Sequence, residues 1–102
     1  MLRRLTCLLV LAPGVAWGQN IEQGHQLATQ WCANCHVVER TAAAASANGL
    51  PTFPAVAASS RTTPEMLRAT MSAQHGRMPD LQLSKRQQDD LVAYIQSLKP
   101  KQ

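Results

Sequence analysis

The feature that most constrains this chain is a six-residue stretch, WCANCH, at residues 31–36. It contains two thiols three residues apart and an imidazole directly after the second. On a helix, Cys32, Cys35 and His36 would share one face. Three kinds of chemistry use such a group, namely a zinc site, a redox-active thiol pair and covalent attachment of a haem. The remaining sequence distinguishes among them.

The first 18 residues, MLRRLTCLLVLAPGVAWG, have the three parts of a secretory signal peptide. Two arginines provide positive charge, a short apolar run follows, and Ala16-Trp17-Gly18 places small residues at the positions that a signal peptidase recognises. The apolar run is too short to span a membrane, which takes about 20 apolar residues. We expect residues 1–18 to be removed as a signal peptide, leaving a periplasmic domain of residues 19–102 with no stable membrane insertion.

Export changes the meaning of the cysteines and of the charge. Cys7 leaves with the signal, and the remaining pair, Cys32 and Cys35, closes too small a loop to act as a disulfide framework. The chain has 10 basic and 6 acidic residues, and loss of the two signal arginines leaves 8 against 6, a net charge of +2. No basic stripe interleaved with aromatic residues is present, so we expect no nucleic-acid partner.

The first helix is predicted at residues 21–31. Its apolar stripe consists of Ile21, Gly24, Leu27, Ala28 and Trp31. Gly24 is unusual there, because a glycine inside a helix costs about 1 kcal/mol relative to alanine. It is either a tolerated surface glycine or a point where another helix crosses too closely for a side chain.

Further helices are expected along the rest of the chain, and no strand pattern appears. Residues 41–54 indicate a loop, with a helical turn at Ala42–Ala45, followed by a short helix beginning near Pro54. Thr63 and Pro64 are typical of a helix start, and that helix is expected to end near residues 75–76. Ser84 opens a capping box for a last helix with the apolar face Leu91, Tyr94, Ile95 and Leu98. The prediction is one all-α domain of three to five helices.

An all-helical exported domain favours haem among the three chemistries. Tetrahedral zinc takes four ligands, usually with a second cysteine or histidine pair, and His25 and His75 are single. A thioredoxin-like thiol pair belongs in a βαβ context. C-x-x-C-H is an attachment signature for c-type haem. A domain this small also buries little surface, so a covalently held apolar cofactor would supply much of its core.

These features together resemble the class I cytochromes c of bacteria. The similarity rests on one CxxCH near the start of the mature chain, Met78-Pro79 before a C-terminal helix, and Gly24 eight residues before Cys32. It extends over essentially the whole mature chain, with Leu91 and Tyr94 matching the residues that pack against the glycine. One departure is Ala28, where mitochondrial-type members often carry an aromatic residue. The resemblance implies a small cytochrome c fold around one haem c attached through Cys32 and Cys35.

His36 is expected to supply one axial ligand of the iron, and four residues compete for the other. Met66 and Met71 have the spacing of a helix core, where methionine commonly fills gaps, and His75 lies near a helix end. Met78 lies in an irregular segment and is followed by proline, and the family places its methionine ligand in such an element. We therefore predict Met78 as the sixth ligand.

The resemblance also implies a carbonyl that orients the histidine ring. In the family a proline downstream of the motif provides it, which points to Pro51 here, with Pro54 as the second candidate. Eight apolar side chains are expected to enclose the haem: Leu50, Phe53, Val56, Leu67, Met71, Leu81, Leu83 and Ile95.

The sequence thus predicts a monomeric single-electron carrier, not an enzyme, that docks transiently with redox partner proteins. Docking is expected at the haem edge by Cys32 and the Met78 loop, where Arg77, Lys85 and Arg86 could meet an acidic partner. Two alternatives remain open: a haem subunit of a periplasmic dehydrogenase or oxidase complex, and a gas-binding haem sensor if Met78 is not bound. Donor, acceptor and reduction potential do not follow from the sequence.

Overall fold

A computed structural model of the chain describes residues 20–41, 49–73 and 78–100. These parts contain four helices and no β-strand, so the expected all-α fold is confirmed. The helices are α1 (Ile21–Trp31), α2 (Phe53–Ala58), α3 (Pro64–Ser72) and α4 (Lys85–Ser97). The predicted signal peptide and the turn at Ala42–Ala45 lie outside the described residues. No helix within them is long and apolar enough to cross a membrane.

Each of these helices has an N-cap residue whose side chain accepts a hydrogen bond from a backbone N–H in the first turn of the helix. The caps and their backbone donors are Asn20 with Gln23, Thr52 with Ala55, Thr63 with Met66, and Ser84 with Gln87. The Gln87 side chain also accepts from the Ser84 backbone N–H at 2.9 Å, which completes the predicted capping box. Replacing such a cap by alanine typically costs about 0.5–2 kcal/mol.

The prediction for the end of α3 was wrong. The helix ends at Ser72, and Ala73 adopts an extended backbone; residues 74–77 lie outside the described parts. Residues 72–77 include no large apolar side chain, so a helix extended to residues 75–76 would bury nothing further. Helices gain most of their stability from packing an apolar face, and α3 therefore ends after its last buried residue.

α1 and α4 cross at Gly24, which is buried. A Cβ atom at this position would lie 2.7 Å from the Cβ of Tyr94 and even closer to the carbonyl oxygen of Asp90. The second reading of Gly24 is therefore correct, because the backbone of α4 occupies the space of a side chain. Asp90 and Tyr94 form the contact, whereas Leu91 is fully buried in the core beside it.

The core gathers residues from all four helices: Ala28, Cys32, Val38, Phe53, Ala57, Leu67, Met71, Leu91, Val92, Tyr94, Ile95 and Leu98. The stripe predicted for α1 is buried only in its middle, at Gly24 and Ala28. Ile21 and Trp31, at the two ends of the helix, are each 50 % exposed. The reason is geometric, since α4 crosses α1 at Gly24, and only Gly24 and Ala28 of this helix are buried.

A pair of polar contacts fastens α3 to α4. The Arg68 guanidinium donates to Oδ1 of Asp89 at 2.9 Å and 3.2 Å, and the Gln88 amide donates to the Ser72 hydroxyl at 2.9 Å. The hydrogen bond from Arg68 lowers the pKa of Asp89, with a smaller contribution from the charge of Lys85. These contacts position the face of α3 that borders the functional site.

Candidate functional site

The WCANCH motif begins at Trp31, the last residue of α1, and follows that helix directly. Backbone N–H groups of Cys35 and His36 both donate to the carbonyl oxygen of Cys32, at 3.1 Å and 2.8 Å. These bonds have the spacing of helical turns, so the chain stays coiled through the motif. Both cysteines and the histidine consequently border one cavity.

The cavity has a volume of about 510 Å³ and is lined by residues from all four helices and from the segments between them. It borders on Trp31, Cys32, Asn34, Cys35, His36, Leu50, Pro51, Phe53, Val56, Met66, Leu67, Thr70, Met71, Met78, Pro79, Leu81, Leu91 and Ile95. None of these described lining residues is an aspartate, glutamate, lysine or arginine. All five predicted site residues are among them: Cys32, Cys35, His36, Pro51 and Met78.

The orientation of His36 is fixed by a backbone carbonyl. Its Nδ1 lies 2.8 Å from the carbonyl oxygen of Pro51. A carbonyl oxygen can only accept, so Nδ1 carries a proton, and in the neutral form of the ring Nε2 has the lone pair. The contact is made to Pro51, the first of the two candidate prolines. The Phe53 ring lies beside the imidazole, with centroids 5.5 Å apart, and the backbone N–H of Phe53 donates to Val37 at 2.9 Å.

The three residues from 38 to 40 are each held by α1 or α4. The Tyr94 hydroxyl donates to the carbonyl oxygen of Val38 at 2.6 Å. Glu39 contacts Nε2 of His25 at 2.9 Å and 3.1 Å, and Arg40 donates to the carbonyl oxygen of Ser97 at 2.9 Å. The His25 ring also stacks on Tyr94, with centroids 4.9 Å apart. This post-motif segment, residues 38–40, fastens the chain directly after His36 to the crossing of α1 and α4.

The two cysteines of the motif differ in their surroundings. Cys32 is buried and Cys35 is exposed, and no disulfide joins them. Burial, with a smaller contribution from the neighbouring Cys35, raises the pKa of Cys32 to about 11. The Cys32 thiol is therefore protonated at neutral pH, which disfavours a redox-active thiolate at this position.

Three methionines border the cavity. Met71 is buried on α3, and Met78 is half-buried in the segment before α4. Met66 was expected in the helix core, which is wrong, because its side chain lies at the cavity's edge and is 40 % exposed. His75 lies outside the described residues. The structure thus brings Met78 to the same cavity as His36, and the choice of Met78 over its neighbours stays a prediction.

The predicted enclosing side chains agree with the structure except at one position. Leu83 does not border the cavity and packs against the core instead. Apolar lining residues that the sequence reasoning missed include Trp31, Pro79 and Leu91. The sequence contained a signal for two of these residues, since Trp31 directly precedes Cys32 and Pro79 directly follows Met78.

The residues of the cavity fit a covalently attached haem. Two thiols and an imidazole come from one turn of chain, a thioether sulfur comes from a separate segment, and the walls are mostly apolar. This combination, in a helical domain, is typical of monohaem cytochromes c.

Comparison with known proteins agrees with this class. The family described as "Cytochrome C oxidase, cbb3-type, subunit III" matches residues 19–95. The chain is also 37 % identical over 101 residues to cytochrome c-552 of Bradyrhizobium diazoefficiens (strain JCM 10833 / BCRC 13528 / IAM 13628 / NBRC 14792 / USDA 110), a match that covers 97 % of this chain and 96 % of that protein. No solved structure matches the chain.

The chain therefore belongs to this cytochrome c family. The family confirms the predicted resemblance to class I cytochromes c, the all-α fold and the cofactor, a covalently attached haem c. Membership of this family also identifies the protein as a haem electron carrier. Electron carriers of this class are not typical enzymes.

Proposed function

We propose that this protein is a periplasmic single-electron carrier whose haem is attached through thioethers to Cys32 and Cys35 and ligated by His36 and Met78. The observation that supports this proposal is the convergence of these four side chains on one mostly apolar cavity. Haem supplies the one-electron redox couple, and the residues around it determine how that couple behaves.

His36 acts through Nε2, the ring nitrogen that its hydrogen bond to Pro51 leaves unprotonated. A hydrogen bond from the other ring nitrogen orients a ligating imidazole and makes it more basic. The post-motif segment adds rigidity, because Tyr94 holds the carbonyl of Val38 two residues further on. The histidine is thus held in one orientation by the protein before any change in the charge of the iron.

Met78 provides a soft thioether, which favours Fe(II) over Fe(III) and raises the reduction potential. It also occupies the position that an exogenous ligand such as carbon monoxide would take. Pro79 follows it and borders the same cavity, and its fixed φ stiffens the segment. If His36 and Met78 both bound the iron, no site would be left for a gas ligand, which would favour electron transfer over gas sensing.

The lining of the cavity supports a carrier rather than a catalyst. Its described residues include no acidic or basic side chain other than His36 and the two cysteines. Since this proposal assigns these three residues to the haem, no other side chain of the described lining is left to act as a general acid or base. An apolar lining also excludes water, so the redox change proceeds with little rearrangement of solvent.

The periplasmic location rests on the amino-terminal sequence. Cleavage after Gly18 would release residues 19–102, and α1 begins two residues later, at Ile21. The mature protein would be a monomer that docks transiently with redox partners. Lys85 and Arg86 are exposed at the start of α4 and available to an acidic partner, although Lys85 lies 3.6 Å from Asp89; Arg77 lies outside the described residues.

A second candidate is a haem subunit that delivers electrons within an oxidase complex. It is favoured by the description of the matching family as subunit III of a cbb3-type oxidase. Purification from native membranes and soluble fractions separates the two. A free carrier is recovered alone from the soluble fraction, whereas a subunit is recovered with larger chains.

The sixth ligand is tested with Met78→Ala, with Met71→Leu as the matched control in the same cavity. Oxidised wild-type protein should show the weak far-red charge-transfer band of a sulfur–iron bond, and the reduced protein should not bind carbon monoxide rapidly. Met78→Ala should abolish the band, open the iron to carbon monoxide and lower the potential. Met71→Leu nearly conserves volume and should keep the band. Loss of the band in Met71→Leu with its retention in Met78→Ala would overturn the assignment.

A further inference from the structure

Asp90 is an acid enclosed in the crossing of α1 and α4. The residue is only 6 % exposed, and its Oδ1 accepts a hydrogen bond from the backbone N–H of Asn20 at 2.8 Å. Asn20 is the N-cap of α1, and its own side chain accepts from Gln23. A buried carboxylate therefore contacts the N-cap of α1, at the end of the helix that carries the positive partial charge.

The described residues provide no cation for this carboxylate. The ion pairs among residues 20–41, 49–73 and 78–100 involve the acids Glu39 and Asp89 and do not include Asp90. Enclosing a carboxylate is costly unless a positive charge or several hydrogen bonds compensate it. The helix dipole and the Asn20 N–H compensate part of this cost.

We infer that Asp90 is the receptor for the α-ammonium group of the mature protein, which signal cleavage after Gly18 creates at Gln19. This inference rests on the proposed processing. The α-nitrogen of residue 19 is three covalent bonds from the Asn20 nitrogen, and these bonds together measure about 4.3 Å. With the 2.8 Å from that nitrogen to Oδ1, covalent geometry alone limits the separation of the ammonium and Oδ1 to about 7 Å, and rotation about the bonds between them would allow direct contact.

The charge state of this nitrogen depends on processing. In the precursor it is a neutral amide, so it cannot balance Asp90. Cleavage converts it into an ammonium next to the crossing, and the pair then joins the start of α1 to the middle of α4. Removal of the signal thereby stabilises the contact between the first and the last helix of the domain.

The test uses the secreted, haem-loaded protein, with Gln19→Ser in every variant, because an N-terminal glutamine can cyclise and lose its charge. Insertion of two serines between Gly18 and residue 19 moves the ammonium away from Asp90. Asp90→Asn removes the acceptor charge, and Glu22→Gln removes an exposed acid of the same helix turn as a control. Intact mass establishes the cleavage site and the presence of haem in each protein.

The pKa of the terminal amine, measured by NMR after selective isotope labelling, should lie above the ordinary range of about 7.7–8.0. It should return to that range after the insertion and after Asp90→Asn, and stay raised in Glu22→Gln. The insertion should lower the folded-to-unfolded ratio on the order of tenfold with Asp90 present, and little in Asp90→Asn.

An amine that titrates in the ordinary range with Asp90 present would overturn the inference, as would cleavage at another bond. The pKa comparison needs only the proteins that retain Asp90, so it decides even if Asp90→Asn fails to fold. Failure of the proposed function would show separately, as a mass without haem or a missing sulfur–iron band.

Discussion

The substitution Gly24→Ala tests the helix crossing, because it has two opposite effects on stability, a gain in helix propensity and a steric clash. Alanine is a better helix former than glycine by about 1 kcal/mol, so helix propensity alone predicts a more stable protein. The added Cβ, however, would lie 2.7 Å from the carbonyl carbon of Asp90 and 2.7 Å from the Cβ of Tyr94. Carbon atoms in contact prefer about 3.5–4.0 Å. One crowded atom is a backbone carbon and the other is a Cβ, so neither can move away unless the backbone of α4 moves.

The crowding should outweigh the gain in propensity. Overpacking in a well-packed core typically costs about 1–3 kcal/mol and occasionally more, and a collision with backbone belongs at the upper end of that range. We therefore expect a net loss of about 2 kcal/mol in the free energy of unfolding. Denaturant unfolding of the haem-loaded protein, followed by far-UV circular dichroism, measures it.

Gly49→Ala is the matched control, because it makes the same chemical change without crowding. A Cβ at position 49 would meet nothing within 4 Å, although the φ of +74° disfavours a side chain. It should cost about 1–2 kcal/mol through backbone strain alone and leave the contact of α1 with α4 unchanged. If Gly24→Ala were as stable as the wild type or more so, the argument from close approach would fail.

Two further predictions concern the haem and the segment after its motif. Cys32→Ala combined with Cys35→Ala should leave a chain that is protease-sensitive and has lost most of its helical circular dichroism. The reason is that the cavity of about 510 Å³ would lose the group that fills it, at a cost comparable to a domain's whole stability of about 5–15 kcal/mol; native helicity and a cooperative melt without haem would contradict this. Tyr94→Phe should cost about 1–3 kcal/mol, because the carbonyl of Val38 loses its 2.6 Å donor, and an unchanged denaturation midpoint would argue against a role for that bond.

Local signals in the sequence predicted the local parts of this fold. The caps at Thr63 and Ser84 were predictable because the cap and the donor it binds lie three residues apart. Gly24 was informative for a similar reason, since a glycine in a helix needs compensation from packing. Sequence reasoning failed where burial depends only on packing between helices. Trp31 belongs to the apolar stripe of α1, but the stripe alone does not show how far α4 covers it.

The contacts that hold the site together join distant residues and leave no pattern in the sequence. Tyr94 and Val38 are 56 residues apart, and Asn20 and Asp90 are 70 apart. Nothing in the sequence near Asp90 distinguishes it from Asp89, yet one is enclosed at the crossing and the other pairs with Arg68. The contact of His36 with Pro51 was anticipated only through the resemblance to a known family, because spacing alone does not select one proline from two.

If the protein is exported as proposed, the crossing of α1 and α4 also determines when during export the domain can fold. During translocation α1 emerges early and α4 emerges last, so the crossing cannot form until nearly the whole domain has left the channel. Native contacts that span most of a chain form late in folding for the same entropic reason. Until then Cys32 and Cys35 would lie in unfolded chain, where both thiols are accessible for attachment to haem, including the Cys32 thiol that the folded domain buries. The topology thus keeps the site of covalent modification open for as long as the polypeptide is in transit.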